Sequence, residues 1–61
     1  NTCAIAYYGL GIIYDDDELY EEAIECYKKA IENDNKYEKA YFFLEICFFI
    51  IFILEIHIST Y

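Results

Sequence analysis

Four consecutive acidic residues, Asp15 to Glu18, are the group of side chains best placed to do chemistry. Carboxylates bind Ca²⁺, but an EF-hand loop also needs a Gly at its sixth position and a Glu at its twelfth. Counted from Asp15, those positions hold Tyr20 and Cys26. We therefore predict no metal site and interpret the acidic run as a solvated helix end.

Catalytic residues are equally hard to assemble from this sequence. His57 is the single histidine, and the nearby hydroxyls of Ser59 and Thr60 lie at the chain end, where no third group can orient a base. Glu21 and Glu25 share a helix face, yet paired carboxylates need a buried cleft to separate their pKa values. We predict no catalytic residue and expect that the protein is not an enzyme.

Glycines and cysteines give no sign of a cofactor. Gly9 and Gly11 lie inside a predicted helix and no Lys-Ser/Thr pair follows them, so a phosphate-binding loop is not indicated. Cys3, Cys26 and Cys47 form no CxxC pair, and their odd number does not suit a disulfide framework. We interpret them as small buried thiols in a reducing compartment and expect a cytoplasmic location.

Charge and size limit the possible partners. The 61 residues include 4 lysines and 12 acidic side chains, a net charge of −8 that opposes binding to nucleic acid. With 59% hydrophobic residues the chain is too apolar to be disordered. A domain this short buries little of its surface, so we expect a piece of a longer assembly.

Apolar spacing predicts three helices and an all-α fold. The first runs from Cys3 to Tyr14, and the second from about Leu19 to Asn33, where apolar residues recur at spacings of three and four. The third begins near Tyr37. Acidic and Asn-rich segments at 15–17 and 33–35 separate the helices.

The chain also repeats itself at an offset of 34 residues, within the range of stacked supersecondary units. The matching pairs are Ala6 with Ala40, Tyr7 with Tyr41, Tyr8 with Phe42, Leu10 with Leu44, Ile12 with Ile46, and Tyr14 with Phe48. Such units bury their apolar faces against one another, so the sequence indicates part of an array.

The pattern Tyr7-x2-Leu10-Gly11-x2-Tyr14 followed by Ala23-x3-Tyr27-x2-Ala30 resembles the tetratricopeptide repeat. Residues 4–37 make one nearly complete unit. The resemblance implies a helix–turn–helix unit over residues 1–37, then a third long helix over 38–61 that begins the next unit and continues into an apolar tail. The whole is a fragment of an α-solenoid. The implied repeat core comprises Tyr7, Leu10, Gly11, Tyr14, Ala23, Tyr27, Ala30, Tyr41, Leu44 and Phe48.

Three positions depart from the family pattern. Glu18 stands where a turn Gly is usual, at some cost in strain, and Asn35 stands where a Pro usually closes the unit. Glu45 replaces the close-packing Gly that corresponds to Gly11. Because residues 49–53 contain no turn former, we predict that the third helix continues through them and ends near Ile56.

The resemblance further implies a peptide-binding groove. Its predicted residues are Ile5, Tyr8, Ile12, Asp15, Asp16, Lys39, Phe42 and Ile46, continuing to Phe49 and Ile50. Family members that grip a C-terminal carboxylate use Lys and Asn on this face, and here apolar and aromatic residues occupy those places. We predict an apolar or basic partner peptide held by Tyr8 and Phe42 as anchors, in a scaffold or adaptor protein.

The apolar tail has three interpretations. We favour a repeat face that a neighbouring repeat, a partner or a second copy covers. The alternative is a membrane-associated protein with residues 40–58 as a hydrophobic anchor, although Glu45, Glu55 and His57 interrupt that stretch. A truncated or misread end is the third.

Overall fold

Three helices make up the computed structural model, which describes residues 2–59. They are α1 (Thr2–Asp16), α2 (Tyr20–Asn33) and α3 (Glu38–Ser59), and together they hold 88% of the described residues. No strand occurs within 2–59. The all-α prediction is confirmed. The third helix passes through residues 49–53 as expected and ends at Ser59, three residues beyond the predicted position.

The first turn closes α1 with a left-handed residue. Glu18 has φ 62°, and its N–H donates to the carbonyl of Asp15 at 3.0 Å. The N–H of Leu19 reaches back to the carbonyl of Tyr14 at 2.9 Å. These two hydrogen bonds form a Schellman motif, in which the left-handed position is usually Gly. The strain expected at Glu18 is therefore present in the backbone.

The second turn depends on Asp34. Its N–H donates to the carbonyl of Ala30 at 2.9 Å, and its side-chain Oδ1 accepts from the N–H of Lys36 at 3.1 Å. The hydroxyl of Tyr41 then donates to the carbonyl of Asn35 at 3.1 Å. An Asx-type turn thus ends α2 without the proline of the family pattern.

α2 is the central element, because it packs against both α1 and α3. Its contact with α1 is close: a Cβ added at Gly11 would lie 2.5 Å from Cε1 of Tyr27. The absence of a side chain at Gly11 is what lets the Tyr27 ring pack there. The fully buried or nearly buried apolar residues are Ala4, Ala23, Ile24, Cys26, Tyr27, Ala30, Ala40 and Cys47.

Four aromatic rings join the three helices. Tyr8 of α1 lies 6.0 Å from Tyr27, 5.3 Å from Tyr37 and 5.7 Å from Phe43, measured between ring centroids. Tyr27 and Phe43 stack at 6.1 Å. Tilted pairs at these distances contribute about 0.5–1.5 kcal/mol each beyond their buried area. The cluster therefore fixes α3 against the α1–α2 hairpin.

Three residues assigned to the repeat core lie exposed instead. Leu10 and Tyr41 are each 41% exposed, and Phe48 is 49% exposed. For Tyr41 and Phe48 the reason is that the repeat pattern identifies the helix face that the second helix of the same unit covers. Within residues 2–59, α3 has no following helix, and α2 covers a different stripe of α3, at Ala40, Phe43 and Cys47. Cys3, expected to be buried, is also exposed.

The remaining core assignments fall at buried or partly buried positions. Gly11, Ala23, Tyr27 and Ala30 are buried. Tyr7, Tyr14 and Leu44 are partly buried, and the last two pack against the central cluster.

Candidate functional site

The predicted groove residues divide into an exposed set and a packed set. Ile5 is 56% exposed and Phe42 59%, and both Asp16 and Lys39 face solvent. Ile46 is partly buried and lines a shallow cavity of about 340 Å³ together with Phe42, Glu45 and Phe49. We call the set Ile5, Asp16, Lys39, Phe42, Ile46 and Phe49 the peptide face. Glu45 was not predicted to border it.

Tyr8 and Ile12 were predicted to line the groove, but their side chains do not belong to the peptide face. Both are partly buried and pack against the core cluster, and the Tyr8 ring belongs to the four-ring contact with α3. Tyr8 was predicted to be a partner anchor. The structure places it between α1 and α3, where its ring packs against Phe43.

Asp15 was predicted to lie on the open groove, but its carboxylate instead contacts side chains of α2 and α3. Its Oδ2 accepts a hydrogen bond from the Tyr27 hydroxyl at 3.3 Å and lies 3.8 Å from the Cys47 Sγ, which donates to it. Burial, followed by the Asp15 carboxylate, raises the pKa of Tyr27 well above its usual 10.0. Asp15 therefore stabilises the neutral hydroxyl at the junction of all three helices.

Of the α3 residues that make this junction, Cys47 was predicted to be buried, whereas Phe43 was not singled out. Phe43 and Cys47 face α2, at a spacing of four residues with Ala40 one turn earlier. That spacing is a helical signal, but every face of α3 is apolar. Periodicity alone could not choose the buried one.

Most of the acidic run and the single histidine are exposed to solvent. Asp16, Asp17 and Glu18 are exposed at the first turn, and His57 is exposed near the end of α3. Among the described residues, no three His, Cys, Asp or Glu side chains lie close enough to hold a metal ion.

α3 has the dimensions of a membrane span. Glu38–His57 has a mean hydropathy of 2.0, and 11% of its most apolar window is buried. By length and composition this is the one helix within residues 2–59 that could cross a membrane. A core helix of a soluble protein has the same composition but is mostly buried, whereas most of this helix is exposed.

Comparison with known proteins gives one match. Residues 4–37, which are more than half of the chain, match the family model of the tetratricopeptide repeat. No curated protein and no solved structure matches. The matched range contains α2, both turns and all of α1 from Ala4 onward, including the Gly11–Tyr27 contact. The chain therefore belongs to the tetratricopeptide repeat family, whose units are generally non-catalytic modules for protein–protein interaction.

Proposed function

We propose that this chain binds a partner peptide or helix through the peptide face, as part of a scaffold or adaptor protein. The observation that carries the proposal is the exposure of large apolar side chains along α1 and α3. Phe42 is 59% exposed and Phe49 63% on α3, and Ile5 is 56% exposed on α1. Exposed aromatic anchors that border a shallow cavity are typical of residues that dominate binding energy.

The charges at the peptide face and the net charge of the chain favour one class of partner peptide. The peptide face carries Asp16 and borders Glu45, with Lys39 as its one basic residue. The whole chain has a net charge of −8, which disfavours nucleic acid and acidic peptides. An apolar peptide with Lys or Arg between its anchors suits this surface best. A cytoplasmic partner is part of the same proposal.

A pair of synthetic peptides tests this assignment. Both carry the same Leu and Phe positions, with Lys between them in one peptide and Glu in the other. We expect the full chain to bind the Lys peptide roughly tenfold more tightly in fluorescence anisotropy. Phe42→Ser should weaken that binding by a similar factor. Ile13→Ser is the matched control, because Ile13 is equally exposed at 59% but lies outside the peptide face.

Two results contradict the proposal. One is tighter binding of the Glu peptide. The other is an equal loss of binding in Phe42→Ser and Ile13→Ser, which indicates nonspecific apolar adhesion.

Membrane association through α3 is the second candidate, favoured by the apolar stretch Glu38–His57. Its 22-residue helix is about 33 Å long, close to the roughly 30 Å of a bilayer core. Glu45 and Glu55 oppose insertion, because an acidic side chain is costly inside the hydrocarbon core. For aspartate at the bilayer centre the cost is about 2.5–3.5 kcal/mol. We rank it second for that reason. Flotation of the full chain with phosphatidylcholine vesicles supports it, and a chain that stays in the aqueous fraction excludes it.

A further inference from the structure

Two open cavities lie on the side of α2 and α3 that the peptide face does not use. One, of about 660 Å³, has Ile31, Tyr41 and Leu44 among its lining residues. The other, of about 320 Å³, includes Tyr20, Ile51 and Leu54. α2 and α3 run antiparallel here, so the cavities lie at opposite ends of their contact.

One stripe of α3 connects the two cavities. Tyr41, Leu44, Phe48 and Ile51 follow one another at spacings of three and four, so they share a helix face. Phe48 lies between the cavities and is 49% exposed. The cavities are therefore the ends of a single apolar groove, which we call the α2–α3 groove. Its length follows that of α2, roughly 21 Å for 14 residues.

The internal repeat indicates what covers such a groove. Tyr7, Leu10 and Tyr14 of α1 correspond to Tyr41, Leu44 and Phe48 at the offset of 34. On α1, α2 packs beside this stripe: Tyr14 contacts the core cluster and Tyr27 lies against the adjacent Gly11, while Leu10 remains 41% exposed. On α3, Leu44 packs against the core cluster but Tyr41 and Phe48 are exposed. No following helix covers them within residues 2–59, because residues 49–53 continue α3 where the first unit turns.

The charges around the groove limit its occupant. Glu18, Glu21, Glu22 and Glu55 line the cavity at the start of α2, and no basic residue lines it. At the other end Lys28 and Lys29 accompany Glu25 and Glu32. The α2 helix of a second copy, lying parallel to α2 as a helix antiparallel to α3 must, would place its own Glu21 and Glu22 against this wall, and that repulsion disfavours self-pairing in this orientation. A helix with lysines or arginines over the glutamate-lined end is complementary.

We propose that the α2–α3 groove docks an amphipathic helix of a partner protein, basic at the end that meets Glu18–Glu22. This helix takes, beside α3, the place that α2 holds beside α1. Apolar residues at spacings of three, four and seven would meet Tyr41, Leu44, Phe48 and Ile51. This site goes beyond the peptide face and uses a different side of α3.

Three synthetic helices of about 14 residues test the proposal in fluorescence anisotropy with the full chain. The first has a leucine stripe and lysines, the second replaces the lysines with glutamates, and the third scrambles the first. We expect the first to bind at least roughly tenfold more tightly than either of the others. Equal binding of the scrambled helix overturns the proposal.

Variants separate this site from the peptide face. Phe48→Ser should weaken binding of the lysine helix roughly tenfold, whereas Phe42→Ser should leave it unchanged. The double substitution Glu21→Lys and Glu22→Lys should reverse the preference towards the glutamate helix. Binding of the Lys peptide to the peptide face should be weakened by Phe42→Ser and unchanged by Phe48→Ser. Each of the two proposals can therefore be contradicted without the other.

Other occupants give distinct results that overturn the proposal. If the chain self-associates, its sedimentation coefficient falls on Phe48→Ser, and added helix does not bind. If lipid covers the groove, phosphatidylcholine vesicles bind the chain and prevent binding of the lysine helix.

Discussion

The α1–α2 hairpin and the C-terminal half of α3 are both helical, yet different interactions stabilise them. The hairpin buries Ala4, Ala23, Tyr27 and Ala30, and a defined turn at Glu18 closes it. In α3, the large side chains from Phe52 to Ile56 are between 45% and 59% exposed. Most helical stability in proteins comes from packing rather than propensity. The second region therefore depends on whatever covers it, and the first does not.

The largest expected contrast is between two aromatic-to-alanine substitutions. Tyr27→Ala removes a fully buried ring and should cost about 3–5 kcal/mol, enough to unfold a marginal domain. Phe52→Ala removes a ring that is 59% exposed and should change stability by less than about 0.5 kcal/mol. Urea unfolding followed by circular dichroism measures both. Equal losses would show that α3 is packed as tightly as the hairpin.

The two glycines of α1 sharpen the comparison within a single helix. Gly11→Ala should destabilise the chain by about 1–3 kcal/mol, because the new Cβ meets the Tyr27 ring in the core. At Gly9 the new Cβ would lie more than 4 Å from any atom outside the adjacent backbone of α1. Gly9→Ala should therefore stabilise the helix by up to about 1 kcal/mol. The same unfolding measurement compares them. Stabilisation by both substitutions would disprove the close α1–α2 contact.

Glu18 offers a test of the turn. Glu18→Gly should raise the free energy of unfolding by about 1 kcal/mol, because it relieves a left-handed residue that carries a Cβ. Glu22→Gly is the matched control: it removes the same charge from inside α2 and should cost about 1 kcal/mol. If thermal unfolding shows both variants destabilised, the strain at Glu18 is not real.

Removal of the Tyr27 hydroxyl should have a smaller effect on the free energy of unfolding, and that effect should depend on pH. Tyr27→Phe should cost about 0.5–1.5 kcal/mol at neutral pH, since the hydrogen bond to Asp15 is lost. The pKa of Tyr27 is raised in the folded state by burial and by Asp15, so the unfolded chain binds fewer protons above pH 10. The contribution of Tyr27 to stability should therefore be complete below about pH 10 and be lost as pH rises beyond it.

Urea unfolding at several pH values between 8 and 12 measures this dependence. Tyr27→Phe should lose stability less steeply than the unsubstituted chain. Identical slopes would mean that Tyr27 is not protected from ionisation by the fold.

The hairpin could be predicted from the sequence because its signals agree with one another. Alanines at positions 23 and 30, the Gly11 gap and the acidic turn each specify the same helix pair. Even the strain at Glu18 followed from the residue that stands where Gly is usual. The third helix could also be predicted, because residues 49–53 lack any turn former.

The buried face of α3 could not be predicted in the same way. Ala40, Phe43 and Cys47 pack against α2, yet apolar residues surround α3 on every side and give periodicity nothing to select. Tyr8 was assigned to the open groove because the family resemblance identifies a helix face and not the side chains that pack against it. Only the position of α3 shows that its ring is held between helices.

Amide hydrogen exchange of the full chain tests the contrast between the two regions most directly, at a concentration where sedimentation shows a monomer. We expect strong protection from Ala23 to Ala30 and near-complete exchange from Phe52 to His57, where local opening costs little. The lysine helix should then add protection along the α2–α3 groove. Uniform protection across α3 in the monomer without any partner would contradict an uncovered third helix.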